Sequence, residues 1–272
     1  MKLDLHIHTT ASDGAWPPDK VVEAASRGGL FVVAQKDHDT TAAVSVGQAR
    51  GVELDVQVIP AIEMSSTHDN REVHVLGYFL DLEFPDLQAY TARASDRRRE
   101  RMQEMVRRLQ HDGVEVSFHE VEKAAGPDRV NIGRPHLARV LVSRGYASSI
   151  IDAFASFIGD RHPAFVPTAL LSPGEAVELI SAAGGIPMWA HPPGDLVEVL
   201  LPGMLERGLR GLEVYRPSSS RNDVLRLERI CRRANLLVSG GSDWHSPESG
   251  NTLGDFHVTA DEVDGLLEEG GL

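Results

Sequence analysis

Leu3-Asp4-Leu5-His6-Ile7-His8 opens the chain almost at its first residue, and Asp13 follows five residues after the second histidine. In a strand, residues two apart point to the same face. The spacing therefore predicts a first strand whose C-terminal end carries two imidazoles, His6 and His8, able to grip one metal ion. Outward from this stretch the habit repeats. Asp37-His38-Asp39, Glu63, Glu72-Val73-His74, Ala190-His191-Pro192 and Ser242-Asp243-Trp244-His245 each put a potential ligand beside an apolar, strand-like run. The pattern is that of a metal site assembled from the ends of many strands.

The 272 residues suit one large α/β barrel, or one domain with a sizeable insertion. A net charge of −13 argues against non-specific binding to long nucleic acid, which needs a broad basic surface. It leaves room for a small anionic substrate, because bound cations dominate the local field. The single cysteine, Cys231, permits no internal disulfide and fits a reducing compartment. Met1 runs directly into the histidine strand, and no apolar run is long enough to span a bilayer. A cytoplasmic protein without a membrane partner is expected.

Apolar runs alternate with amphipathic ones, which predicts βα units and a largely parallel sheet. Strands are expected at residues 2–6, 30–35, 56–64, 73–80, 185–190, 211–214 and 236–240, with a short one near 256–258. Helices are expected at 18–27, from the Ser172-Pro173-Gly174-Glu175 capping box to Ala183, at 222–233 and at 260–268. Residues 85–166 break the alternation. They read as a helical insertion: a long charged helix over 86–111, a capping box at Ser117 and Glu120, and shorter helices over 135–144 and 148–157. The remaining residues, 1–84 and 167–272, would form the barrel. An insertion after a barrel strand is placed over the strand C-termini, where barrel sites lie.

Nine residues are candidate metal ligands: His6, His8, Asp13, His38, Glu63, His74, His191, Asp243 and His245. Imidazole and carboxylate donors without thiolates suit zinc, manganese or iron. One ion cannot use nine ligands, and a carboxylate such as Glu63 could bridge two. His68, His111, His119, His162 and His257 read as surface or supporting residues, and Asp37 and Asp39 as either orienting groups or turn residues.

Taken in order, His6-Ile7-His8, Asp13, Asp37-His38-Asp39-Thr40, Ala61-Ile62-Glu63-Met64-Ser65, Glu72-Val73-His74, Ala190-His191-Pro192 and Gly241-Ser242-Asp243-Trp244-His245 resemble the PHP (polymerase and histidinol phosphatase) family of metal-dependent phosphoesterases. The likeness spans nearly the whole chain. With Gly133-Arg134-Pro135-His136, the insertion is similar to the branch of nucleoside 3',5'-bisphosphate phosphatases and 5'-to-3' exoribonucleases. The resemblance implies a distorted (β/α)7 TIM-like barrel with two or three divalent metal ions. His6, His8, Glu63 and Asp243 would hold the first; Glu63, His74 and His191 the second; Asp13, His38 and His245 a third. Lys36 departs from the threonine usual before Asp-His, and Ala61, Trp189, Arg216 and Ser218 are further departures. Lys36 either faces away from the metals or helps bind an anion.

The expected reaction is hydrolysis of a phosphomonoester of a small nucleotide, such as a nucleoside 3',5'-bisphosphate, by a hydroxide bridging the metals. Asp243, His245 and His136 are the candidate catalytic groups. Arg134, His136, Lys36 and Tyr215 are the candidate substrate contacts: Arg134 as a two-pronged phosphate clamp, His136 as a phosphate donor or leaving-group acid, and Tyr215 as a stacking ring. The arginines at 97, 98, 99 and 101, interleaved with acids, read by default as a solvated helix face, with the alternative that one of them turns inward to a nucleotide phosphate. Rival readings are a 5'-to-3' exoribonuclease on short RNA, a cyclic phosphate phosphodiesterase and a histidinol phosphate phosphatase. A binuclear centre also permits amide hydrolysis, which Arg134 disfavours. A non-catalytic metal-binding regulator is a reading of a different class, opposed by the intact ligand set.

Overall fold

Both faces of β1 (Lys2–Ile7) are buried, Leu3, Leu5 and Ile7 on one and Asp4 and His6 on the other. A strand so enclosed must lie inside the molecule, with its polar side in need of partners. The computed structural model describes residues 1–127 and 129–272. After β1 come α1 (Pro18–Arg27), β2 (Val32–Gln35), α2 (Val44–Leu54) and β3 (Gln57–Ile59). Val21, Val22 and Ala25 of α1 pack on Ile7, Val33 and Val58, which fixes this helix against the first three strands.

Pro60 decides the next step. The expected strand over 56–64 is in fact two strands, β3 and β4 (Ala61–His68), in different sheets. Proline has no N–H for a ladder and turns the chain between them. From β4 the chain returns immediately as β5 (Arg71–Tyr78), antiparallel and in register, through Asp69 and Asn70 at φ 46 and 60. Two successive left-handed residues are the signature of a type I′ hairpin turn. The remaining strands are β6 (Ile186–Trp189), β7 (Gly211–Tyr215), β8 (Leu237–Gly240) and β9 (Val258–Thr259).

The strands form two sheets, ordered β3-β2-β1-β9 and β4-β5-β6-β7-β8. Neighbours β1–β2, β2–β3, β6–β7 and β7–β8 are parallel, whereas β4–β5, β5–β6 and β1–β9 are antiparallel. This corrects the expectation of a largely parallel sheet, and the two sheets do not close into one continuous barrel. They are laced together at the strand C-termini by bridges between Ile7 and Trp244 and between His38 and Glu63. There the Asp243 N–H donates to the His6 carbonyl (2.8 Å) and the Asp39 N–H to the Glu63 carbonyl (2.9 Å).

Residues 85–166 are helical, as expected: α3 (Pro85–His111), α4 (Phe118–Ala125), α5 (Arg134–Ser143) and α6 (Ile150–Ala153), the last running into a π-helical turn over Phe154–Ile158. Helix α3 is shared between two cores. Its first half, through Leu87, Tyr90 and Ala94, packs with the strand cluster. Its second half, through Met102, Met105, Val106 and Leu109, packs in a cluster drawn wholly from residues 102–166. The chain then adds α7 (Pro173–Ala182), α8 (Val197–Glu206), α9 (Arg221–Ala234) and α10 (Asp264–Glu269) outside the strands. Helices α2 and α8 have no counterpart among the sequence expectations. Gly47 and Gly51 interrupt the first and Pro202 and Gly203 the second, which hides their periodicity. Among the described residues no helix is long and apolar enough to cross a membrane.

Candidate metal centre

Glu63 lies near the start of β4, 1% exposed, and its carboxylate is the meeting point of five imidazoles. Oε1 lies 2.9 Å from His74 Nδ1 and 2.9 Å from His191 Nε2. Oε2 lies 3.3 Å from His6 Nε2, 3.1 Å from His8 Nε2 and 3.2 Å from His38 Nδ1. Asp243 Oδ1 stands 3.2 Å from His8 Nε2 and 3.5 Å from His6 Nε2. On the far side, Asp13 reaches His8 Nδ1 and His245 Nε2 at 3.5 Å and His38 Nε2 at 3.8 Å. The structure thus gathers all nine candidate ligands, from β1, the start of β4, the middle of β5 and the segments that follow β1, β2, β6 and β8, into one cluster.

The donors fit metal ions better than they fit one another. His6 Nε2 and His8 Nε2 are 3.3 Å apart, as are His74 Nδ1 and His191 Nε2. Two ligands of one tetrahedral ion, each at roughly 2.1 Å, are separated by about 3.4 Å. His8 Nδ1 and His38 Nδ1 are buried without a hydrogen-bond partner, so their lone pairs or protons have no other use. Three groups have donor atoms mutually close enough for an ion: His8, Asp13, His38 and His245; His6, His8 and Asp243; and His38, Glu63 and His74. These groupings share His8 and His38 between sites, so they differ in detail from the division that the family resemblance implies.

Electrostatics follow from this crowding. Burial opposes charge on His6, but Glu213, Asp243 and Glu63 outweigh it and raise its pKa to about 10. Burial likewise opposes charge on His8, yet hydrogen bonds to Asp243 and Glu63 lift it well above the ordinary value. His38 goes the other way: burial dominates and holds it near about 3 despite Glu63 and Asp13. Burial would raise Glu63, Asp13 and Asp243, but the surrounding imidazoles hold all three below the usual carboxylate range.

The backbone is bent to achieve this. Asp39, His191 and Asp243 adopt φ of 55, 66 and 53. Left-handed conformations in non-glycine residues cluster where function over-determines geometry. Gly241 permits the close approach of β1: a Cβ there would lie 2.4 Å from the His6 nitrogen.

Glu213 was not evident from sequence as a supporting residue, whereas Asp37 and Asp39 were left open between an orienting and a turn role. His6 Nδ1–H donates to Glu213 at 2.7 Å, both fully buried, which turns Nε2 toward the cluster. The available signal was an acid in the middle of the apolar run Gly211-Leu212-Glu213-Val214. Replacing Glu213 by glutamine is expected to weaken divalent-cation affinity about tenfold while the protein stays folded. Competition against a chelating dye measures this, and an unchanged affinity would show that His6 needs no such orientation. Asp37 accepts from the Thr9 and Ser12 N–H groups (2.9 and 3.1 Å) and from both hydroxyls, shaping the loop that presents Asp13. Asp39 accepts from the Ser65 N–H (2.6 Å) and is paired with Arg98 (2.6 Å).

The substrate-contact expectations fare less evenly. Arg134 lines a cavity of about 1200 Å³ that opens over Asp13, His38, His74, Asp243 and His245. It is ion-paired with Glu72 (2.8 Å) and with Asp160, between the rings of Phe154 and Phe165. His136 is 1% exposed and accepts the Gly133 N–H at Nδ1 (3.0 Å), so it fastens the start of α5. Burial lowers its pKa to about 4. Lys36 is not on the cavity wall. It is fully buried, with Nζ 3.2 Å from the Gly77 carbonyl and over the Tyr78 ring, and burial holds its pKa well below the lysine range. Tyr215 also leaves the cavity, donating its hydroxyl to Glu228 at 2.8 Å on α9. Direct substrate contact by Lys36 and Tyr215 is therefore withdrawn: one is held inside the strands and the other is turned outward. The arginine run is corrected too. Arg98 and Arg101 are 4% and 3% exposed, paired with Asp39 and Glu72 respectively, not solvated.

A wide cavity over clustered imidazoles and carboxylates is the geometry of a metal-dependent hydrolytic site. The chain belongs to the PHP family of metal-dependent phosphoesterases and is a hydrolase of phosphoric esters. It is 31% identical over 251 residues to the 5'-3' exoribonuclease Rnm of Escherichia coli, covering 90% of this chain and 85% of the relative. It is 33% identical over 253 residues to a phosphoribosyl 1,2-cyclic phosphate 1,2-diphosphodiesterase of Eggerthella lenta, covering 89% and 93%. It is 29% identical over 258 residues to a 3',5'-nucleoside bisphosphate phosphatase of Chromobacterium violaceum, covering 93% and 90%. A protein of Bifidobacterium adolescentis assigned as a metal-dependent phosphoesterase superposes with a TM-score of 0.89 at 32% identity, covering 98% of this chain and 96% of that one. No family model matches the chain.

Proposed function

We propose that this protein removes a phosphate from a small nucleotide, with a nucleoside 3',5'-bisphosphate as the preferred substrate. The observation that carries the reading is the Glu63 carboxylate held between five imidazoles, two of which, His38 and His74, line a cavity that also exposes Arg134. Mixed nitrogen and oxygen donors without thiolate suit manganese, zinc or iron. His6, His8, Glu63 and Asp243 would hold one ion, Glu63, His74 and His191 a second, and Asp13, His38 and His245 a third. Bound there, the ions would supply an activated water and draw charge from the phosphoryl oxygens.

The chain's own residues then do the rest. Glu213 keeps the His6 ring turned, and Glu63 can serve two sites because its two oxygens face opposite groups of imidazoles. Arg134 offers a planar cation to a non-bridging oxygen. In doing so it shares with the substrate a guanidinium that Glu72 and Asp160 already hold in place, so little side-chain freedom is lost on binding. Asp243 and His245 stand at the cavity edge, partly exposed, where a leaving oxygen can reach them. His136 acts by fixing the segment that carries Arg134.

Residues 85–166 form, in this reading, an insertion over the mouth of a distorted seven-stranded ring made by β1, β2 and β4–β8. The insertion's own apolar cluster and the presence of α5 and α6 on the cavity wall support this. The relatives' names support both a nucleoside bisphosphate and an RNA taken from its 5' end, and the net charge of −13, which opposes a long polyanion, favours the former. The test is a panel with manganese-loaded protein: a 3',5'-bisphosphate, 5'-AMP, a short 5'-phosphorylated RNA, a cyclic ribose phosphate and histidinol phosphate. The 3',5'-bisphosphate should have the highest kcat/KM. Comparable low rates on all five would defeat the nucleotide assignment.

A further inference from the structure

The cavity is two-sided in its chemistry. Its floor holds the imidazoles, carboxylates and arginines already described, while one wall of the insertion presents Val142, Ile150, Ile151 and Phe154. Ile151 is 82% exposed. Single exposed apolar residues are ordinary, but four apolar side chains from α5, α6 and the turn that follows, all facing a cavity floored by charged groups, form a surface suited to an apolar ligand part.

This wall is rigid. Ser149 caps α6 by accepting the Asp152 N–H (3.1 Å). The Asp152 carboxylate accepts from the Ser148 N–H and hydroxyl (2.7 and 2.8 Å) and from the Ser156 hydroxyl (2.9 Å). Ala153 and Ile158 anchor the same segment in the insertion's core. The Phe154 ring packs on the Arg134 guanidinium at 5.3 Å, so the apolar wall is tied to the anion-binding group. A ligand that fills such a cavity has an anionic end at the floor and a flat apolar part against the wall. A nucleotide has both.

We infer that Ile150, Ile151 and Phe154 form the contact surface for the face of the substrate's base. The inference rests on the nucleotide reading of the same site and adds what that reading does not contain: how the base is held. The wall reads the face of the base, not its edge. Of its two hydroxyls, Ser143 has committed its donor to the Val140 carbonyl (2.9 Å) and Ser149 an acceptor site to the Asp152 N–H (3.1 Å), which leaves the apolar side chains as its main contact surface. Apolar contact with a base face is tolerant of base identity.

The experiment compares wild type and Ile151→Ala, a substitution at an exposed position, on adenosine 3',5'-bisphosphate, uridine 3',5'-bisphosphate and the abasic analogue in which hydrogen replaces the base. The readout is the ratio of kcat/KM between each nucleoside substrate and the abasic one. The inference expects wild type to favour both nucleosides, and Ile151→Ala to reduce that preference about three- to tenfold for both through KM. If wild type hydrolyses all three equally well, or if the variant keeps the wild-type ratio, the wall does not hold the base, although the parent reading stands. If the ratio falls for one base only, face recognition is wrong. If wild type hydrolyses none of the three, the parent reading falls and takes this one with it.

Discussion

Glu63→Gln is expected to lower kcat/KM by at least about 10³-fold and to lose divalent cations on dialysis. Removing an outer partner of a metal ligand costs roughly 10–100-fold, and Glu63 is no outer partner. Both of its oxygens are committed, Oε1 to His74 and His191 and Oε2 to His6, His8 and His38. Glutamine keeps the shape but replaces one oxygen with an amide nitrogen, which has no lone pair to give a metal and carries hydrogens toward the imidazoles. It also removes the negative charge that lies between the two histidine groups. Two measurements check this. Metal content after dialysis should fall in the variant while circular dichroism is retained. Addition of manganese should raise the wild-type Tm, by linkage worth about 2.7 kcal/mol at a hundredfold excess over Kd, and leave the variant's Tm almost unmoved. A variant that retained its metal and a tenth of wild-type activity would show that the site does not depend on a shared carboxylate.

The second large effect is on stability. Arg98→Met is expected to cost about 3–5 kcal/mol, because it strands the Asp39 carboxylate in a buried position. Arg98 is 4% exposed and Asp39 fully buried, with Nε to Oδ2 at 2.6 Å and a second guanidinium nitrogen donating to the Ser65 hydroxyl at 2.7 Å. Tyr90 also donates to Asp39. Burial alone would raise the Asp39 pKa, and Arg98 together with the hydrogen bonds from Ser65 and Tyr90 more than reverses it, so the carboxyl titrates below the ordinary range. A depressed carboxyl contributes stability that is present above its unfolded pKa and lost as pH falls through the folded one. In the methionine variant that contribution vanishes at neutral pH. At roughly 2–4 °C per kcal/mol for a chain of this size, the Tm should drop by about 10 °C. Arg98→Met combined with Asp39→Asn should recover part of the loss, since the stranded charge is gone. A drop under about 1 kcal/mol for the single variant would mean that water reaches Asp39 and the pair is not a buried one.

These two residues mark the limit of sequence reading. Glu63 was legible because it follows an apolar run, as do most of the other candidate ligands. Arg98 was not. On the sequence it is one of several arginines interleaved with acids, and such a run is ordinarily a solvated face. Which face of α3 turns inward depends on where Asp39 and Glu72 come to lie, and both arrive from strands far away in the chain. Glu213 is an intermediate case, conspicuous as an acid in an apolar strand but without a partner until His6 is seen beside it. The outward turn of Tyr215 and the choice between the two readings of Lys36 were hidden for the same reason as Arg98. A side chain near a strand end can turn toward the cavity, into the interior or out to a helix, and the local pattern is the same for all three.

The helices show the same division. Helices α1 and α7 are announced by proline at or near their starts, and in α7 by its capping box, whereas α2 and α8 are concealed by glycine and proline that their packing tolerates. The chain by itself announced the inventory of candidate ligands and much of the alternation of strands and helices, because each is written in periodicity and residue type within a short window. Only the tertiary structure decided the strand directions, the split at Pro60, the sharing of His8 and His38 among neighbouring donor groups, and the burial of Arg98. Those depend on which distant segments meet, and a charge or a lone pair has no assigned role until its partner is within a few ångströms.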